Sequence, residues 1–100
     1  MVEPNATQPA RLHATVEGRV QGVGFRAFVE QSAETLDLKG WVRNRWDGSV
    51  EVVAEGERQD LEKLLAGLRR GPRVSGVADV RFEWQPATGE FTYFSVRMTG

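Results

Sequence analysis

Gly18-Arg19-Val20-Gln21-Gly22-Val23-Gly24-Phe25-Arg26 is the stretch whose reading decides the fold of this chain. Ahead of it, residues 11 to 17 alternate: Leu12, Ala14 and Val16 fall on one side and His13, Thr15 and Glu17 on the other, the period of a half-buried strand. Behind it, Phe25, Phe28, Val29, Ser32, Ala33 and Leu36 recur at helical spacing, and the stripe stops before Lys39-Gly40. The glycine run therefore turns a strand into a helix. A helix start exposes unpaired N–H groups and the positive end of the macrodipole, so a cation in the first turn is locally unfavourable. Arg26 stands in that turn, which implies an anion beside it. Glycines let successive amides curl toward one centre, and a guanidinium offers forked donors that match two phosphate oxygens. The ligand expected here is a phosphoryl group.

Further along, Trp41 to Arg45 reads as a short strand running into Trp46-Asp47-Gly48, and Ser49 to Glu55 leaves again with Val50, Val52 and Ala54 alternating. Asp-Gly between two such runs signals a hairpin. Leu61, Leu64, Leu65 and Leu68 mark a second amphipathic helix, ended by Gly71-Pro72. Val77 to Trp84 alternates once more, with Ala78, Val80, Phe82 and Trp84 expected to face inward, and Phe94 to Met98 forms a last strand. The order is that of an α+β chain, a ferredoxin-like βαββαβ two-layer sandwich with a short extra C-terminal strand. Both helices are expected on one sheet face. The other face carries His13, Thr15, Glu17, Trp41, Arg43, Arg45, Glu51, Glu55, Asp79, Arg81 and Glu83, a mixed-charge set suited to water.

A chain of 100 residues suits one such domain and one site. Residues 1–9, with two prolines and little apolar content, read as a flexible N-terminal tail, and residues 10–100 as the indivisible body. The first residues lack a basic and apolar leader and no later stretch spans a bilayer, so a cytoplasmic protein without membrane contact is expected. Thirteen Lys and Arg against 14 Asp and Glu leave a net charge of −1, which argues against a nucleic-acid partner held by bulk electrostatics. The absence of cysteine excludes disulfides, thiolate metal sites and cysteine nucleophiles.

Two other readings of the loop compete. Gly22-Val23-Gly24-Phe25-Arg26-Ala27 satisfies the loose dinucleotide fingerprint G-x-G-x-x-A, but that motif requires a parallel βαβ unit, and the Asp47-Gly48 hairpin breaks the alternation. A tight turn with no ligand accounts for the glycines and leaves Arg26 unexplained.

Taken together, Gly18 to Arg26 and Gly40-Trp41-Val42-Arg43-Asn44-Arg45-Trp46-Asp47-Gly48-Ser49-Val50-Glu51 strongly resemble, in order and separation, the two signature segments of the acylphosphatase family. The resemblance runs from about Leu12 to Met98 and includes Gly71-Pro72 and the terminal apolar strand. It implies hydrolysis of acyl phosphates, mixed carboxyl-phosphate anhydrides, to a carboxylate and inorganic phosphate without a metal or cofactor. It further implies that Arg26 and Asn44 are the catalytic pair, with Gln21, Gly22, Val23, Gly24, Phe25 and Arg26 holding the substrate phosphate. Physics agrees with those roles. Phosphoryl transfer asks for positioning and charge neutralisation, which amides and a guanidinium supply. An amide side chain donates and accepts, so Asn44 can hold a water in line with phosphorus, and a carboxylate of conjugate-acid pKa about 4 departs without a general acid.

Asn44 taken alone reads as a cap at a strand end, and the paired motif reverses that preference. His13 lies mid-strand on the open face, where the chemistry needs no imidazole. Arg19, Arg43 and Arg45 are expected to pair with neighbouring glutamates, and Trp46 either shapes the pocket rim or packs on its turn. RNA binding through the open face is disfavoured by Glu17, Glu51 and Glu55. The alternative to the enzyme is a non-catalytic phosphate-binding or carrier module, like the acylphosphatase-like domain at the start of a large hydrogenase-maturation carbamoyltransferase. A monomer is expected.

Overall fold

A computed structural model describes residues 8–100. Its elements in chain order are β1 (Pro9–Arg19), α1 (Phe25–Thr35), β2 (Lys39–Asn44), β3 (Val50–Glu57), α2 (Arg58–Arg70), β4 (Gly76–Gln85) and β5 (Phe94–Val96). The strands make one sheet of order β4-β1-β3-β2-β5, antiparallel except for β5, which runs parallel to β2. This is the ferredoxin-like sandwich with its short C-terminal strand. The N-terminal tail expected from composition falls mostly on residues 1–7, outside the described residues. Pro9, counted in that tail, is the first residue of β1 and sits opposite Glu57. A proline suits a strand's first position because its missing N–H costs no ladder bond there.

The core follows the alternation. Leu12, Ala14 and Val16 from β1, Val50, Val52 and Ala54 from β3 and Val42 from β2 are buried on one face. Phe25, Val29 and Ala33 of α1 and Leu61, Leu64, Leu65 and Leu68 of α2 close over them. Removing a buried leucine from such a layer typically costs about 2–5 kcal/mol. Gly71 caps α2, its N–H bonded to Gly67 O at 2.8 Å. No helix among the described residues is long and apolar enough to cross a membrane.

Two expectations about facing change. Ala78 is exposed, and Val77 packs against the core in its place. The cause is a bulge: the β1–β4 register shifts between Glu17 and Gly18, leaving Ala78 without an opposite residue. Gly18 makes the bulge possible, with φ at 125° and Gly76 O at 2.2 Å from where a Cβ would stand. The second change concerns the open face. Glu51 and Glu55 are not water-facing but buried, together with Val53. Their strand, β3, is central, and arginine arms and the connection to β5 fold over it. Glu51 accepts from His13 Nε2 (2.7 Å), Arg43 Nε (2.8 Å) and Arg45 Nη1 (3.0 Å). Glu55 accepts from Arg11 Nε (2.7 Å), from Thr88 N–H and Oγ1 (2.9 and 3.0 Å) and from Gly89 N–H (2.9 Å). Burial pushes both carboxyls up, yet these hydrogen bonds outweigh it and hold both below the usual carboxylate range.

Candidate active site

The loop between β1 and α1, the start of α1 and the end of β2 meet at one end of the sheet. Gly24 is the residue before the helix, at φ 78° and ψ 19°, and its carbonyl accepts the first helical bond from Phe28 N–H at 3.1 Å. That left-handed conformation suits glycine and strains other L-residues. No side chain caps this end and no acidic residue occupies the first turn. The amides of Phe25, Arg26 and Ala27 precede the first completed helical bond and are left without intrahelical partners. The Phe25 ring is buried and meets Phe28 edge-on at 5.9 Å, which anchors the helix start to the core.

Asn44 arrives from β2 by simple alternation. Val42 points into the core, Arg43 toward Glu51 on the open face, and Asn44 back to the helix side. Its main chain is fixed on both edges, by pairing with Val50 and by Gly100 N–H bonding to its carbonyl at 3.0 Å. The turn after it is tight. Asp47 accepts from Ser49 Oγ at 2.6 Å and from Ser49 N–H at 2.9 Å, bonds that hold its carboxyl below the usual range.

A cleft of about 290 Å³ opens between these segments, lined by Gly22, Gly24, Arg26 and Asn44 and walled by Val20, Phe25, Ala27, Glu30 and Val96. Four of the six residues expected to seat a phosphate, Gly22, Gly24, Phe25 and Arg26, line it together with Asn44. Gln21 and Val23 stand behind it. The Gln21 amide donates to Arg45 O at 2.8 Å and Ser49 O at 2.9 Å, lashing the loop to the β2–β3 turn, and Val23 packs on the core. What these two have left for an anion is main-chain N–H. Among the described residues no carboxylate pairs with Arg26, so a half-buried guanidinium and a helix start, both positive, share one cleft. That arrangement suits an anion.

The residues set aside in the sequence lie elsewhere. His13, Arg43 and Arg45 are bonded to Glu51 on the open face. Trp46 is 83% exposed and neither lines the cleft nor packs on its turn, so both readings of it fail. Sequence reasoning missed Glu30 and Val96 as cleft residues. Glu30 was legible in principle, four residues after Arg26 on the same helix side, whereas Val96 enters only because β5 pairs with β2. Among the described residues, no group of three or more His, Asp or Glu side chains is placed to hold a metal ion.

Comparison with known proteins bears on the family. The chain is 50% identical over 90 residues to the acylphosphatase of Syntrophotalea carbinolica, an alignment spanning 90% of this chain and 98% of the relative. The crystal structure of acylphosphatase from Bacillus subtilis superposes with a TM-score of 0.85 at 38% identity, covering 88% of this chain and 98% of that one. Full-length HypF in its phosphate- and nucleotide-bound form matches at TM-score 0.83 and 26% identity, covering 97% of this chain and 13% of that one. The family model described as Acylphosphatase spans residues 12–96, nearly the whole of the βαββαβ body and both signature segments, and by that match the chain belongs to the acylphosphatase family.

Proposed function

We propose that the cleft hydrolyses acyl phosphates, with Arg26 clamping the phosphoryl group and Asn44 positioning the attacking water. The acylphosphatase activity itself rests on the family and on relatives of that name about 50% identical over nearly the whole chain. The assignment of roles rests on one observation: Arg26, unpaired among the described residues and in the first turn of α1, shares a cleft with Asn44. The phosphate sits against the loop amides of residues 21–26, where the Arg26 fork and the helix start neutralise charge on its equatorial oxygens. Asn44 holds a water opposite the bond to be broken. The water oxygen bonds to phosphorus as the bond to the acyl oxygen breaks, the electron pair leaves with the carboxylate, and the water proton passes to a phosphate oxygen. A carboxylate leaving group, with a conjugate-acid pKa of about 4, needs no protonation. The products are carboxylate and inorganic phosphate.

The same reading takes residues 10–100 as the functional domain, working as a cytoplasmic monomer without a nucleic-acid partner. A near-balanced charge and the buried glutamates of β3 support the last point. A carrier module is the second reading, favoured by the likeness to a segment of HypF. Hydrolysis of benzoyl phosphate in EDTA separates the two, run on the native chain, Arg26→Gln and Asn44→Ala, with all three shown to be folded. An enzyme turns over without added metal and loses the rate in both variants. A carrier binds phosphate, needs Arg26 but not Asn44, and turns over nothing.

A further inference from the structure

Among the described residues Glu30 is the one carboxylate lining the cleft, and the phosphate does not explain it. It stands one turn after Arg26, yet the two make no ion pair, and among the described residues no other cation meets it. Arginine N-terminal to glutamate at this spacing is the weaker orientation of a helical pair, so the carboxylate stays free. A free carboxylate beside a phosphate seat only repels the phosphate. Its use must lie toward the other half of the substrate.

The cleft has two levels. Four residues of helix carry Glu30 about 6 Å along α1 from Arg26. On the opposite wall, Val96 pairs with Val42, two residues before Asn44 and therefore about 6.6 Å down β2 from it. Because α1 and β2 run in opposite directions from the shared end, both displacements lead away from the glycine loop. Arg26 and Asn44 form the upper level, and Glu30, with Ala27 and the 40% exposed Val96, forms the lower. The lower level is the part of the cleft that continues beyond the glycine loop, and so the space open to the acyl group of a phosphate held there.

We propose that Glu30 sorts acyl phosphates by the charge of the acyl group, favouring acyl groups that carry a cation and disfavouring those that carry a second carboxylate. The proposal rests on the acyl phosphatase reading above and names the substrate class of that site. Three substrates of one shape test it: benzoyl, 4-(aminomethyl)benzoyl and 4-carboxybenzoyl phosphate, each assayed with the native chain, Glu30→Gln and Glu30→Lys at low and high salt. The quantity read is the ratio of kcat/KM for the aminomethyl substrate to that for the carboxy substrate, which cancels the common phosphate. Two opposite unit charges about 6 Å from Glu30 through a mostly aqueous medium amount to about a tenfold difference in that ratio between native and Glu30→Gln. The difference is expected in KM rather than kcat, to shrink at high salt, and to invert in Glu30→Lys. A structural role for Glu30 instead lowers all three substrates in parallel, and an unchanged ratio across the three proteins overturns the proposal. If the native chain hydrolyses none of the three, the activity reading falls, and this inference with it.

Discussion

Arg43 and Asn44 are neighbours in one strand, and the alternation of β2 sends them to opposite faces and into opposite circumstances. On the open face, Arg43 and Arg45 converge on a Glu51 carboxylate that also takes His13, and Glu55 is met by four donors. On the cleft side, among the described residues, Arg26 has no anion, Asn44 has no side-chain partner and the first amides of α1 have no acceptor within the helix. Both regions hold arginine and main-chain donors, three arginines on the open face and Arg26 alone in the cleft. One has its polar groups satisfied internally, while the other keeps them open toward the cleft. Substitutions should therefore separate the two regions cleanly, one moving rate and the other moving stability.

The largest separation is expected at Arg26. Removing one preorganised donor typically costs about 2.7–4 kcal/mol of transition-state stabilisation, so Arg26→Lys should lower kcat/KM for benzoyl phosphate by about 10²- to 10³-fold. Lysine keeps the charge and loses the fork, which is what two phosphate oxygens require. Stability should move the other way. Taking a cation out of a helix's first turn removes an unfavourable dipole contact, so Arg26→Gln should gain about 0.3–1 kcal/mol in urea unfolding while losing activity. An Arg26→Gln protein that unfolds more easily than the native chain would place Arg26 among the structural arginines and break the contrast.

Next in size is Glu51→Gln on the open face. Breaking a fully buried ion pair costs about 3–5 kcal/mol, but the side chains of Arg43 and Arg45 remain about a third exposed, so about 2 kcal/mol is the reasonable loss. For a chain of this length that lowers Tm by roughly 10 °C. Turnover at a temperature where the variant is folded should match the native protein, because Glu51 is on the far side of the sheet from the cleft. A rate loss comparable to that of Arg26→Lys would show that the open face positions Asn44 through β2.

Acid gives a graded version of the same contrast. The folded-state pKa values of Glu51 and Glu55 lie below the ordinary value of 4.5. A carboxyl with a depressed folded pKa contributes stability that is present above its unfolded pKa and lost as pH falls through the folded one. Urea midpoints should therefore hold from pH 7 to about 5 and decline below about 4.5, in the native chain and in Arg26→Gln alike. In the double variant Glu51→Gln/Glu55→Gln the decline should be shallower. An acid decline of equal depth in that double variant would locate the sensitive groups elsewhere.

Most of the fold was legible because local patterns agreed with it. The alternation around Leu12, Ala14 and Val16, the helical spacing from Phe25 and the Asp47-Gly48 turn each predict the element that forms. Arg26 was legible from motif and from physics, since a cation at a helix start demands an anion, whereas Asn44 was legible from the paired motif alone, because by itself it reads as a cap at a strand end. What escaped depends on pairing between distant segments. Ala78 and Val77 exchange places through a bulge set by Gly18 and Gly76, far apart in sequence. Glu55 is buried because Thr88 and Gly89 come to it, and no window around Glu55 contains them. Val96 joins the cleft for the same kind of reason, through β5.

The smallest effect is expected at Trp46, and its smallness is informative. A tryptophan two residues after Asn44 invites a role at the pocket rim, yet it is 83% exposed and absent from the cleft walls, and among the described residues only its N–H is engaged, on Gly100 O at 3.2 Å. Trp46→Ala keeps that main-chain bond. Exposed substitutions of this kind usually stay within about 0.5 kcal/mol, so stability should hardly move, and kcat/KM for benzoyl phosphate should stay within about twofold. A KM that rises severalfold in Trp46→Ala with kcat unchanged would mean that the indole swings onto the acyl group once substrate is bound. The cleft would then be completed by a residue that lies outside it in the free protein, and openness in the unliganded chain would no longer separate the binding region from the structural one.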